Sequence, residues 1–270
     1  MLYSDLHTHT RLCNHATGEP GDYLKQAVSK GLTWYGISDH FPAPAGYDPE
    51  FRMMPLEYAE YRKIVAGVQQ EARESGSDIQ VLYAAEFDYV PGRMAEVYTA
   101  LDREDFDYLI GSIHYVDDFA FDDPSKKEEW FSRGVDYIWG RYAELLCEFV
   151  TGYRFEIMGH ADLPKKFSLF PTDEKRFLMQ MQSIFELAAK KEICMELNTA
   201  GLRKDVREIY PSLSLLKLAR EAGVRITFGS DAHAPEEIGA GLADALLLAQ
   251  EAGYRSHVVF QKRQAIEIAF

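Results

Sequence analysis

Eight histidines are spread over 270 residues, and seven of them stand at or just after the end of a short β-like run, each beside a carboxylate or another polar residue. The first run ends Asp5-Leu6-His7-Thr8-His9, with His15 shortly after. Residues i and i+2 of a strand share a face, so His7 and His9 can grip one ion together. Later runs end in Asp39-His40, Glu86-Phe87-Asp88, His114, His160-Ala161-Asp162 and Ser230-Asp231-Ala232-His233. Imidazoles and carboxylates without a cysteine suit divalent cations such as Zn, Fe or Mn. Seven histidines with Glu86 and Asp231 are too many for one ion and match two or three, provided a carboxylate bridges a pair. A single His-x-His or Asp-His has a bland reading as local strand or turn structure; the joint placement points to a metal site. His257 opens a late β-like segment with no acidic companion and reads as a packing or surface residue.

Residues so far apart need a scaffold that gathers strand ends. Seven strand candidates are legible: Leu2 to Leu6, Trp34 to Ser38, Ile79 to Ala85, Tyr108 to Ser112, Phe155 to Gly159, Ile193 to Leu197 and Val224 to Gly229. Helical patterns separate them at Tyr23 to Lys30, Glu57 to Glu74, Tyr137 to Val150, Glu174 to Lys191, Leu213 to Ala222 and Glu237 to Ala252. Repeated strand-helix units predict a parallel sheet, and seven of them favour an α/β barrel of the TIM-like kind over an open doubly wound sheet. In such a barrel the C-terminal strand ends converge on one face, and the metal site is placed there. No Gly/Ser-rich linker divides the chain, so residues 1–270 read as one domain. The segment His257 to Phe270 is either one more strand or an arm packed across the barrel. Polar Asp117 to Trp130 reads as an insertion over the strand ends, a candidate lid.

Forty-three acidic against 29 basic residues give a net charge of -14, which opposes nucleic acid and anionic membranes unless metals reverse the field locally. The N-terminal residues lack the pattern of a signal peptide and no apolar run is long enough to span a bilayer, so a cytoplasmic monomer or small homo-oligomer is expected. Cys13, Cys147 and Cys194 are widely spaced and suggest neither disulfides nor a zinc knuckle.

The ordered motifs His-Thr-His, Ser-Asp-His at 38–40, Glu-Phe-Asp at 86–88, Gly-Ser-Ile-His at 111–114, Gly-His-Ala-Asp at 159–162 and Gly-Ser-Asp-Ala-His at 229–233 resemble those of the polymerase-and-histidinol-phosphatase (PHP) family across almost the whole chain. The stretches from Glu86 to Gly92 and from Glu196 to Arg203, with Tyr210-Pro211-Ser212, resemble its histidinol-phosphatase branch. The resemblance implies a distorted (β/α)7 barrel holding up to three ions. His7, His9, Glu86 and Asp231 would hold the first, Glu86, His114 and His160 the second, and His15, His40 and His233 the third.

The implied activity is a metal-dependent phosphomonoesterase acting on L-histidinol phosphate in histidine biosynthesis, by attack of a metal-activated hydroxide on phosphorus. Glu86, Asp231 and His233 are the expected catalytic residues. Arg203, Lys165, Lys166 and Asn198 follow strand ends and are candidate substrate contacts. Arg11 lies near the first motif, and Thr199 shares the rim of Asn198. Asp39, Asp88 and Asp162 can orient histidines, deliver a proton or simply cap turns. Rim carboxylates such as Asp88, Asp117 or Asp118 would meet the substrate's amine. Three rival readings stand beside this one. A related phosphoesterase acting on nucleotides or phosphotyrosine would share the metals. An amidohydrolase-type enzyme would need a bridging lysine where Glu86 stands. A non-enzymatic metal module would need closed coordination.

Overall fold

The computed structural model describes residues 4–44, 47, 48 and 50–270. Seven parallel strands follow one another in chain order around the sheet: β1 (Ser4–Asp5), β2 (Trp34–Ile37), β3 (Gln80–Asp88), β4 (Tyr108–Ser112), β5 (Ile157–Met158), β6 (Cys194–Asn198) and β7 (Ile226–Gly229). Leu2 and Tyr3, also predicted in the first strand, lie outside the described residues. The first and last strands meet through Leu6 N–H to Phe228 O at 2.9 Å and, above them, Asp231 N–H to His7 O at 2.8 Å and His9 N–H to Ala232 O at 2.9 Å. Buried Asp5 fastens this seam by accepting from the backbone of Ser230 and Gly239, both at 2.8 Å. The sheet therefore curls into a distorted, nearly closed (β/α)7 barrel, as expected.

Among the described residues eight helices accompany the strands: α1 (Pro20–Ser29), α2 (Tyr58–Glu74), α3 (Met94–Leu101), α4 (Glu129–Arg133), α5 (Val135–Gly152), α6 (Glu174–Lys190), α7 (Leu213–Ala222) and α8 (Leu242–Glu251). Local chemistry explains their limits. Proline opens α1, Asp173 caps α6 by accepting from Arg176 N–H at 3.0 Å, and Gly223 takes the left-handed conformation that ends α7. The helix expected from Glu237 starts five residues late because Gly239 and Gly241 adopt positive φ, which breaks the helical ladder. Helix α3 adds to the expected elements, with Met94, Val97 and Leu101 forming a helical stripe, all buried.

Alternation along each strand sends one row of side chains outward to the helices and one inward. Ala85 and Phe87 of β3 belong to the helix-side core, whereas Leu82 and Ala84 lie in the inner one. Tyr108 and Ile110 of β4, Ile157 of β5 and Cys194 of β6 continue that inner core. Its base is made by Val258, Val259 and Phe260 of β8 (Ser256–Gln261), which pairs antiparallel with β9 (Gln264–Ala269). The turn of this hairpin is anchored just before β4 and β5, through Lys262 N–H to Asp107 at 2.9 Å and Arg263 Nε to Glu156 at 2.7 Å. The C-terminal segment is thus an arm across the N-terminal end of the barrel and adds no strand to it. His257 packs between Phe228 and Phe270 and is 2% exposed, which removes the surface alternative.

The segment from Asp117 is more ordered than a bare insertion. Tyr115–Val116 pairs with Phe119–Ala120 in a small ribbon, and Phe119, Phe121 and Trp130 are buried. Each such aromatic contributes about 1.5–3 kcal/mol by burial, so the insertion is a packed wall beside the strand ends.

Candidate metal centre

The C-terminal strand ends bring all nine expected ligands into one cluster. Glu86, at the inward row of β3 and 1% exposed, is its centre. Its Oε1 lies 3.1 Å from His160 Nε2 and 3.7 Å from His114 Nε2. Its Oε2 lies 2.8 Å from His40 Nδ1, 3.3 Å from His7 Nε2 and 3.8 Å from His9 Nε2. Asp231 completes the β1–β7 seam with Oδ1 3.0 Å from His9 Nε2. The rings of His9 and His233 stack at 4.1 Å, and His15 lies 4.5 Å from His233.

Several trios bring their donor atoms within 4.8 Å of one another: Glu86, His114 and His160; His15, His40 and His233; His7, His9 and Asp231; and His9, His40 and Glu86. The first three coincide with the expected division, with Glu86 Oε2 also beside the His7 pair. The fourth makes His40 and His9 neighbours of Glu86 as well. One further trio joins His9 and His233 to buried Cys13, which brings a thiol up to the cluster.

The cluster is polar beyond what its internal contacts satisfy. His7 Nε2, His160 Nδ1 and His233 Nε2 are buried without a hydrogen-bond partner. Each such atom costs about 1–3 kcal/mol unless something coordinates it, so the donor set fits cations better than it fits itself. Asp231 and His160 also hold positive φ angles of 53° and 21°, strain that non-glycine residues tolerate where the surroundings demand it.

Protonation points the same way. Burial would raise Glu86, but His40 and His7 and hydrogen bonds from His160 and His40 hold it well below the carboxylate range. Burial is likewise outweighed at Asp231 by His7, His9 and His233. Burial, together with the charge of His9, drives His40 and His233 well below the usual histidine value. Ionised carboxylates and neutral imidazoles are the ligand forms. His7 and His114 behave oppositely. Burial lowers both, yet Glu196, Glu86 and Asp231 carry His7 well above its usual value, and Asp88 and Glu86 carry His114 to about 9. A cation binding there must displace protons.

A second layer orients the rings. Glu196 Oε1 stands 2.7 Å from His7 Nδ1, while its other oxygen accepts from His160 N–H at 3.0 Å and Asn198 Nδ2 at 3.1 Å. Gly229 makes room for this, since a Cβ there would lie 2.2 Å from Glu196 Oε1 and 2.6 Å from His7 Cβ. Asp39 Oδ1 is 3.3 Å from His9 Nδ1, and Asp88 Oδ1 is 2.6 Å from His114 Nδ1. Carboxylate–histidine pairs of this kind fix the tautomer and strengthen the ligand. Asp162 serves differently, accepting from Ser212 N–H at 2.8 Å and pairing with Lys165.

The predicted substrate contacts part company here. Lys165 is buried and donates to Ile209 O at 2.8 Å and to Glu208, away from the cavity. Arg203 is drawn to Glu237 at 3.0 Å and to the carbonyls of Ser230 and Asp231. Asn198 donates to Asp231 Oδ2 at 3.2 Å and thereby braces a candidate ligand. Lys166 does line the cavity, paired with Asp122 at 3.1 Å. Arg11 pairs with Glu60 on the surface, and Thr199 Oγ1 donates to Ala240 O at 2.6 Å.

Arg52 belongs to the site although no sequence pattern marks it. It is 3% exposed, with Nη1 2.7 Å from His40 Nδ1 and Nη2 3.3 Å from His114 Nδ1, and it pairs with Asp48 and Asp88. It lies in an irregular loop, where no periodicity marks it. Glu196 was legible in principle, since it follows inward Cys194 by two residues.

A cavity of about 820 Å³ opens over the cluster. His15, His40, Glu86, His114, His160 and His233 face it on one side, and the ribbon and the following Asp122 to Lys126 on the other. A family model for the PHP domain matches residues 5–200, and a model described as PHP-associated matches 215–243.

The chain belongs to the PHP family.

Among PHP relatives, a probable histidinol-phosphatase of Deinococcus radiodurans is 35% identical over 260 residues, covering 96% of this chain and 97% of its own. A histidinol-phosphatase of Bacillus subtilis is 26% identical over 262 residues, covering 88% and 96%. The crystal structure of a Lactococcus lactis histidinol phosphate phosphatase, complexed with zinc, L-histidinol and phosphate, matches with a TM-score of 0.80 at 20% identity, over 98% of this chain and all of that one. That likeness establishes the shared barrel.

Proposed function

We propose that this PHP protein is a histidinol-phosphatase: a metal-dependent phosphomonoesterase that hydrolyses L-histidinol phosphate to L-histidinol and phosphate. The observation that carries the reading is Glu86, a buried carboxylate with both oxygens ringed by imidazoles at the floor of a cavity sized for a small phosphomonoester. The names of the Deinococcus and Bacillus relatives supply the substrate.

His7, His9, Glu86 and Asp231 would hold one divalent ion, Glu86, His114 and His160 a second, and His15, His40 and His233 a third. When bound, such ions (Zn, Fe or Mn) supply a nucleophilic water near neutral pH and neutralise phosphoryl oxygens. The protein's own residues do the rest. Glu86 keeps two ligand sets at a fixed spacing, Asp231 and His233 set the β7 side, and Glu196, Asp39 and Asp88 hold His7, His9 and His114 in orientation. The O–P bond forms from water as the bond to the histidinol oxygen breaks, and that oxygen leaves with a proton.

On the insertion side, Tyr47 and Tyr115 lie with ring centroids 4.5 Å apart, and Asp48 and Asp122 stand nearby. Aromatic faces suit the imidazole and ammonium groups of histidinol. The reading takes residues 1–270 as a single cytoplasmic domain acting on a small phosphorylated substrate. No described helix is long and apolar enough to cross a membrane.

The test is phosphate release by metal-reconstituted protein from L-histidinol phosphate, p-nitrophenyl phosphate and a nucleoside monophosphate. Histidinol phosphate should be preferred, and Glu86→Gln should lower kcat/KM by roughly a thousandfold with loss of bound metal. Equal rates on all three substrates would sink the substrate assignment and keep the chemistry.

A further inference from the structure

A phosphomonoester dianion needs protein donors as well as metal ions, and four basic side chains among the described residues line the cavity: Arg52, Lys126, Lys166 and Lys204. Three already have carboxylates. Arg52 is paired with Asp48 and Asp88, Lys166 with Asp122 at 3.1 Å, and Lys126 with Asp123 at 4.0 Å. Lys204 has no hydrogen-bonding or ion-pairing partner for its ammonium among the described residues. Arg203, its neighbour in the chain, is held by Glu237 outside the lining.

The position of Lys204 is also specific. It follows the 3-10 turn Ala200–Arg203 at the end of β6, with extended backbone (φ -105°, ψ 177°) that carries it out of the turn. There it shares the cavity wall with Asp231 and His233 and lies within electrostatic reach of Asp231, Glu237, Lys166 and Arg203. Lys204 is exposed at the cavity rim, where only water solvates its ammonium, so it can meet an entering anion directly, whereas the paired cations must first give up a carboxylate.

We propose that Lys204 is the side chain that meets the phosphate group of the substrate. The proposal rests on the phosphomonoesterase reading above, and its test uses inorganic phosphate so that the identity of the alcohol does not enter. Phosphate binding to metal-loaded protein would be measured by calorimetry for the wild type, Lys204→Ala, Lys204→Arg and Lys127→Ala. Lys127 pairs with Asp205 outside the cavity and controls for net charge.

Lys204→Ala should weaken phosphate binding roughly tenfold and raise KM more than it lowers kcat, with metal content unchanged. Lys204→Arg should recover most of the affinity, and Lys127→Ala should bind as the wild type does. Wild-type affinity in Lys204→Ala, or equal weakening in Lys127→Ala, overturns the proposal. A wild type that binds no phosphate overturns the phosphomonoesterase reading and this proposal with it. Normal binding with turnover of a different ester sinks only the histidinol assignment.

Discussion

The two ends of the barrel use the same inward rows for opposite purposes. On β3 the row runs Leu82, Ala84, Glu86; on β4, Tyr108, Ile110, Ser112; on β6, Cys194, Glu196, Asn198. The N-terminal half of each row is apolar and sealed by Val258, Val259 and Phe260, and the C-terminal half is polar and faces the metal cluster. Histidine shows the contrast within one residue type. Among the seven at the upper end, six lie beside Glu86 or Asp231 and His15 stacks against them, whereas His257 at the lower end sits between two phenylalanines with neither ring nitrogen hydrogen-bonded. The same side chain is poised to hold a cation where carboxylates surround it and packs as an apolar ring where they do not.

If the lower end is purely structural, removing the largest side chain of its Val258–Phe260 seal should cost stability and leave the metals alone. Phe260→Ala should destabilise the fold by about 3–5 kcal/mol in denaturant titrations, with metal stoichiometry of the folded fraction unchanged. Loss of metal at equal folded fraction would show that the two halves are not separable. At the upper end, Glu196→Gln keeps the shape and removes the charge behind His7. It should weaken metal binding by 10–100-fold, up to about 2.7 kcal/mol, in protein that still folds. An unchanged metal affinity would make Glu196 a packing residue.

The smallest expected effect sharpens the comparison through pH. Burial lowers His257 from 6.5 to about 4, so the unfolded chain takes up that proton first. The stability that neutral His257 contributes is present above pH 6.5 and is lost as pH falls towards 4. His257→Phe should therefore be about 2 kcal/mol less sensitive to a change from pH 7 to pH 5 than the metal-free wild type. Parallel pH profiles for the two proteins would contradict the burial argument.

Much of this organisation was legible in residue order. Short apolar or β-branched runs ending in histidine or carboxylate located every strand that carries a candidate ligand, because a polar group at a strand end leaves both the apolar run and its polar terminus in view. Residues in irregular segments left no such trace. Arg52 reaches His40 and His114 only because the loop after β2 folds back over β3 and β4. Lys165 and Lys166 are adjacent in sequence, yet one is bound inward by Ile209 and the other lines the cavity, a choice set by the turn they occupy.

The chain by itself determined the family, the barrel and the nine-residue constellation, since residue type and alternation are local properties. Only the tertiary structure decided which carboxylate backs which imidazole, which cations are already neutralised, and that the C-terminal segment plugs the barrel instead of joining its sheet. Those are contacts between distant parts of the chain, governed by distance and burial, and residue order does not encode them one position at a time.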